Sequence, residues 1–327
     1  MQLDAGLLIL IGLALLFDFL NGFHDSANLV ATVIASRALA PRRALLLAAA
    51  ANFSGPFLFG VAVATTVGDD LLDSSVIQPP AVTAALVAAI SWNVLTWYVG
   101  IPSSSSHALI GGLLGATVLT GGLSVIRVMG LAKVLAALFL SPILGLLVGI
   151  FVMRATLFLF RSARPRVNVT FRRVQVLTLI GLGLSHGAND AQKTMGVITL
   201  GLVTAGHLSS FRVPLWVVVI SAGAMAIGTS IGGWRLIHTL GHKIFRIRPV
   251  HGFTSQLSSS AIILGAAVLG GPVSTTQVMS SAIIGVGAAQ RPKMVRWQVL
   301  REMMVAWLLT LPVTALIAGV IALILPN

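Results

Sequence analysis

The chain has 327 residues, of which 57% are hydrophobic and 9% charged, and its mean hydropathy of +0.99 excludes a soluble globular domain of this size. The net charge of +13 comes from bases confined to loops, so it reports membrane topology and argues against nucleic-acid binding. With no cysteine, disulfides and thiolate metal sites are excluded and the redox compartment stays open.

The start, Met1-Gln2-Leu3-Asp4, has no basic stretch, so the apolar run at 3–20 reads as a retained span rather than a signal peptide. A polar segment at 21–36 follows, then apolar runs at 44–67, 81–101, 104–121 and 128–153. A basic connector spans 161–173, after which the plan repeats: 174–188, a polar segment at 189–204, then 213–232, 253–271, 273–289 and 298–325. The expected organisation is therefore a first repeat (1–160), a basic cytoplasmic connector (161–173) and a second repeat (174–327). At roughly 20 residues per span, this length holds about ten crossings. The two polar segments, 21–36 and 189–204, are expected to be broken or re-entrant.

Charge sets the orientation of the repeats. Bases cluster at Arg37, Arg42 and Arg43, at 154–173, at Arg235, Lys243, Arg246 and Arg248, and at Arg291, Lys293, Arg296 and Arg301. The loop holding Asp69, Asp70 and Asp73 carries none. If each opening run and its polar segment make one net crossing, all four basic clusters fall inside and the acidic loop outside. The positive-inside rule thus favours inverted repeats with both termini outside. The fold class expected is an all-α polytopic membrane protein of two inverted-topology repeats. Segment 235–248, where Trp234, Leu236, Ile237, Leu240, Ile244 and Phe245 interleave the bases, reads as an interfacial helix. The sequon Asn168-Val169-Thr170 falls in the connector and is read as chance.

Two phrases carry the chemistry. Asn21-Gly22-Phe23-His24-Asp25-Ser26-Ala27-Asn28 and His186-Gly187-Ala188-Asn189-Asp190-Ala191-Gln192-Lys193 each set a carboxylate and carboxamides among apolar residues. An acid at bilayer depth costs on the order of 2.5–3.5 kcal/mol and marks a binding site or pathway. A second pair, Pro102-Ser103-Ser104-Ser105-Ser106-His107 and Pro272-Val273-Ser274-Thr275-Thr276-Gln277, reads as two helix starts. Free N–H groups, the positive dipole end and hydroxyls there suit a tetrahedral oxyanion, giving Ser103, Ser104, Ser105, Ser274, Thr275 and Thr276 as anion-binding candidates.

Carboxylates repel an oxyanion unless they hold positive charge. Asp25 and Asp190, with Asn21, Asn28 and Asn189, are therefore the candidate cation or coupling residues, with Na⁺ possible at Asp25, Asn28, Asn189 and Asp190. A cation beside the anion stabilises both, which is the physical basis of symport. Asp18, His24, His107, His186 and Lys193 are accessory candidates. The histidines lack a metal-ligand spacing on one helix face, so a transition-metal site is not expected. Asn52 and Gln256 are candidates for packing or substrate contact.

The phrase at 21–28 leading into Val30-Ala31-Thr32-Val33-Ile34 resembles the first signature of the PiT inorganic phosphate transporters. Ser185 to Lys193 resembles the second, in the form of the bacterial low-affinity branch. With the two proline–hydroxyl phrases, the similarity covers the whole chain in order. It implies cation-coupled phosphate symport through inverted repeats, with Asp25, Asp190 and neighbouring Asn at the site, and a possible homodimer. The chain departs from the pattern at Leu29, where many relatives have Ala, in its short connector, and at Gln277, where symmetry with His107 would place a His.

The expected function is a symporter in the cell (inner) membrane that imports inorganic phosphate, free or as a complex with a divalent metal, by alternating access. It would be driven by H⁺ or Na⁺, with no cofactor and no catalysis. Two alternatives stand beside it: an intramembrane serine hydrolase using Ser103–Ser106 and a His, and a transporter or channel for another oxyanion such as sulfate.

Overall fold

In a computed structural model describing residues 4–73 and 77–324, twelve α-helices account for most of the described chain. The residues at either end, 1–3 and 325–327, lie outside the described residues, and with them the placement of the termini. Helix α1 (Ala5–Ala35) starts on Asp4, whose carboxylate accepts the Leu7 N–H at 2.6 Å. The helices α2 (Pro41–Phe59) and α3 (Ala62–Thr65, continued as a π-turn to Asp70) follow. Next come α4 (Pro79–Val99), α5 (Ser105–Gly121), α6 (Val128–Leu159) and α7 (Val167–Thr204). The last five are α8 (Leu215–Ile231), α9 (Trp234–His238, with a π-turn to Lys243), α10 (Pro249–Val268), α11 (Thr275–Gln290) and α12 (Trp297–Ile324). Among the described residues, four helices are long and apolar enough to cross a membrane, or up to six if each of two bent pairs counts as one span.

The expectation that 21–36 and 189–204 are broken is wrong. Both lie in unbroken helices, α1 and α7. Their polar side chains face neighbouring helices, so the backbone ladder never has to open to satisfy them. Close approach is supplied by glycine: a Cβ on Gly22 would sit 2.1 Å from the Met225 carbonyl, and one on Gly187 1.9 Å from that of Asn52. The breaks fall elsewhere, on glycines at positive φ that a residue with a side chain would strain to adopt. Gly60 (φ 78°) separates α2 from α3, which bend by 77°; Gly232 (φ 82°) separates α8 from α9, which bend by 61°. Two further breaks, at 100–104 and 269–274, lie at the proline–hydroxyl phrases.

The second half repeats the element order of the first: a long helix with the acidic phrase, a bent helix, a third helix, a break, a short buried helix, a 3₁₀ turn, and a long outer helix with an internal proline, Pro142 or Pro312. Packing pairs the halves through small residues, as bundles in lipid do. Helix α1 runs parallel to α8 and its continuation α9, with contacts that advance from Gly22/Met225 through Phe23/Gly233 to Ala31/Gly241, and α2 with its continuation α3 runs parallel to α7 from Ala51/Gly183 through Asn52/Gly187 to Ala64/Gly196. The same relation joins α6 to α11 (Gly145/Val278, Gly149/Ala282) and α5 to α12 (Gly111/Leu311, Gly115/Ala315). Large apolar side chains on the outer faces of α6 and α12, such as Phe151 and Leu316, are exposed, as lipid contact requires.

The acidic loop holds no base of its own, but bases from the 122–133 segment reach it. Arg127 lies 3.6 Å from Asp69 and 3.8 Å from Asp73, and Lys133 3.7 Å from Asp70. Segment 235–248 is helical only to Lys243. Leu236, Ile237 and Leu240 are buried against protein, so the apolar face read as membrane-facing is mostly a packing face. The connector is non-helical for 160–166 only, and Asn168 to Arg173 form the first turns of α7.

Candidate functional site

Both proline–hydroxyl phrases are helix starts, as their sequence suggests. Ser104 caps α5, accepting the His107 N–H at 3.1 Å, and Ser274 caps α11, accepting the Gln277 N–H at 3.3 Å. Gln277 and His107 thus hold equivalent cap positions. The two starts touch, because the Ser106 hydroxyl donates to the Val273 carbonyl at 3.0 Å. Neither first turn has intrahelical acceptors for its N–H groups, and both positive dipole ends lie at this junction.

Around the junction stand α1 and α7. Asp25 Oδ1 accepts from Thr276 Oγ1 at 2.9 Å and pairs with His24 Nδ1 at 2.9 Å. Thr275 Oγ1 lies 2.7 Å from Asp190 Oδ2 and 3.2 Å from Asp25 Oδ2. A hydroxyl has one proton, so it satisfies one of these carboxylates and leaves its lone pairs facing the other. Asp190 Oδ1 is held by Lys193, whose ammonium also donates to Ser106 Oγ (2.6 Å) and to the Val273 carbonyl (2.8 Å). Both acids and the lysine are buried.

His186 completes the cluster. Its Nδ1 lies 3.1 Å from Asn52 Oδ1, while Asn52 Nδ2 donates to Thr229 at 2.9 Å. That chain makes the Asn52 oxygen an acceptor, so Nδ1 carries the proton and Nε2 is bare in the neutral ring. Nε2 lies 3.2 Å from Asp190 and 3.7 Å from Asp25 without a hydrogen-bond partner. A lone pair against two carboxylates is stable only with an electrophile between them, a proton or a metal ion. Asp25, His186 and Asp190 offer ligand atoms within 4.8 Å of one another. Sequence spacing pointed away from a metal-type cluster because its third member comes from a different helix.

The remaining candidates divide. Asn28 Nδ2 donates to Thr276 Oγ1 at 3.0 Å, Asn21 Oδ1 accepts from Ser105 at 2.6 Å, and Asn189 Nδ2 donates to the Gly271 carbonyl at 2.9 Å, leaving its Oδ1 unpaired. These three therefore line the junction. Ser103 pairs with Thr96 at 2.7 Å, and His107 with Ser104 at 2.7 Å, both on the α4–α5 side. Asp18 is buried two turns before Asp25, neither of its oxygens has a hydrogen-bond partner, and Thr194 on α7 is its neighbouring hydroxyl. Gln256 bonds Thr178 at 2.7 Å, a helix–helix tie between α7 and α10.

The sequence did not single out Gln192 and Ser26. Gln192 Oε1 accepts from Val63 N (2.8 Å) and its Nε2 donates to Gly60 O (2.5 Å), satisfying the backbone freed by the first bend. Ser26 Oγ accepts from Gly233 N at 2.8 Å and does the same at the second. Each acidic phrase thus also splints the bent helix of the other half. Their only sequence signal is two more polar residues inside those phrases.

Residues 21–318 match the model of the phosphate transporter family. The chain is 46% identical over 316 residues to a probable low-affinity inorganic phosphate transporter of Bacillus subtilis, covering 95% of each. It is 45% identical to one of Rhizobium meliloti, covering 95% of this chain and 93% of that one, and 28% identical to a putative phosphate permease of Pyrococcus abyssi, covering 99% of each. A solved structure described as the sodium-dependent phosphate transporter has the same fold, with a TM-score of 0.88 over 98% of this chain and 99% of that one at 24% identity. These relatives are transporters, which removes the hydrolase alternative; the Ser104 hydroxyl beside His107 is a helix cap. By its sequence along nearly its whole length, this membrane protein belongs to the phosphate transporter family.

Proposed function

We propose that the chain imports inorganic phosphate together with a cation, H⁺ or Na⁺, by alternating access across the cell membrane. Phosphate sits between the starts of α5 and α11, held by first-turn N–H groups and by Ser104, Ser105, Ser274, Thr275 and Thr276, while Ser103, tied to Thr96, supports the start of α5. Asp25 and Asp190, with Asn21, Asn28 and Asn189, hold the cation. One observation carries this reading: a hydroxyl of an anion-type helix start, Thr275 Oγ1, is within reach of both carboxylates. Two like charges within 4.8 Å of one another repel by at least about 3.5 kcal/mol at an effective dielectric of 20. A cation removes that penalty and allows an anion to enter beside it. The bare His186 Nε2 adds a nitrogen to the two carboxylates, a donor set that also accepts a divalent metal arriving with phosphate.

The two halves act as inverted repeats, 1–160 and 174–327, joined by 161–173. The matched element order and the meeting of two hairpin-like breaks support this. Both termini and the Asp69–Asp73 loop face outward, and the four basic clusters face the cytoplasm. The test is radiolabelled phosphate uptake by the purified chain in proteoliposomes, with Na⁺ and pH gradients imposed separately. Uptake accelerated by one of these gradients is expected. Uptake indifferent to both would make the protein a channel, and preference for sulfate would reassign the anion.

A further inference from the structure

The two acidic phrases share a glycine and an aspartate at the same spacing, and they differ in charge at their last position. With Asp25 on Asp190 and Gly22 on Gly187, Asn28 falls on Lys193. The glycines confirm the register, since each meets the backbone of a parallel helix from the other half. At the second position the lysine ammonium spends its three protons on a carboxylate (Asp190), a hydroxyl (Ser106) and a backbone carbonyl (Val273). Those are the ligand types of a hard-cation site, all oxygen and one of them anionic. At the first position Asn28 is neutral and donates to Thr276. Asp25 has no ammonium, only Thr275, Thr276 and imidazoles around it. Of the carboxylates Asp25 and Asp190, only Asp190 has an ammonium against it, and the bare His186 Nε2 faces both, at 3.2 Å from Asp190 and 3.7 Å from Asp25.

We propose that the Lys193 ammonium is a resident cation at one of two pseudo-symmetric carboxylate positions, so that only the Asp25 position is left for a cation that travels with phosphate. The inference rests on the cation-coupled reading above and narrows it to a coupling number fixed by one side chain. Asn in place of Lys193 reproduces what the first half holds and opens a second oxygen site to a free ion.

The experiment uses the full-length chain purified in detergent, melted across NaCl concentrations with choline chloride keeping ionic strength constant. Lys193→Asn is expected to give a steeper rise of melting temperature with log Na⁺ than the wild type, because the slope follows the number of ions bound on folding. In proteoliposomes the cation-to-phosphate ratio, read from the gradient at which net flux reverses, is expected to rise by a single cation. The double variant N28K/K193N, which moves the ammonium to the other half, should return the slope to that of the wild type. An unchanged slope and ratio in K193N, or a double variant that behaves as K193N, overturns the proposal. So does failure to recover folded K193N at any Na⁺ concentration, since a lysine doing the work of an ion is replaceable by one. If wild-type vesicles take up no phosphate, the transport reading fails, while the melting comparison still judges the lysine.

Discussion

Neutralising the two acids one at a time separates their roles. Asp25→Asn and Asp190→Asn both remove the carboxylate–carboxylate repulsion, so that gain cancels in a comparison of the two. They differ in what is left behind. Without the Asp190 charge, the Lys193 ammonium keeps only Ser106 and Val273, two neutral acceptors, in a buried setting. Breaking a buried ion pair from one side costs about 3–5 kcal/mol, or roughly two to three and a half orders of magnitude in the folding equilibrium. Asp25→Asn strands no ammonium. The assay is the melting midpoint by fluorescence-detected size exclusion in Na⁺-free buffer. D190N is expected to melt well below D25N, and D190N/K193M to recover most of the gap, while both single variants lose coupled uptake. Equal midpoints for D25N and D190N, or no recovery in the double variant, would refute the charge accounting at the site.

Three further outcomes follow from the same structure. Gly187→Ala puts a Cβ 1.9 Å from the Asn52 carbonyl, so α2 and α7 must separate at about 1–3 kcal/mol, whereas Gly223→Ala meets nothing within 4 Å and should be neutral or mildly stabilising; thermal melts of the pair check this. Asp18→Asn replaces a buried carboxylate that has no partner with a neutral isostere, and is expected to raise the melting temperature while slowing uptake in vesicles. Because the chain has no native cysteine, single cysteines at Asp73 and Arg127 should label with an impermeant maleimide from outside intact cells, and those at Arg164 and Arg246 only after permeabilisation; the reverse pattern would invert the topology.

The acidic phrases were legible in the chain because a carboxylate among apolar residues is costly enough to need a reason. The helix starts were legible because Pro followed by hydroxyls has few other uses. The matched element order of the two halves was foreshadowed for the same reason, as two rare phrases recurring in the same order. Misplacing the breaks at 21–36 and 189–204 came from taking polar content as a sign of broken backbone. Polar side chains facing other helices leave the ladder intact, and the real breaks sit on Gly60 and Gly232, which look like any other glycine in an apolar run. The Asp25–His186–Asp190 cluster was not legible, since its members lie on α1 and α7 and only packing sets them within 4.8 Å. The sequence alone determined the class of protein and drew attention to its buried polar residues, because burial in lipid makes each charge conspicuous. Lys193, three residues after Asp190 on the same helix, is a local partner for it; tertiary structure alone decided that Asp25 and the α11 hydroxyls stand beside that pair, because this depends on helices distant in sequence meeting at one point.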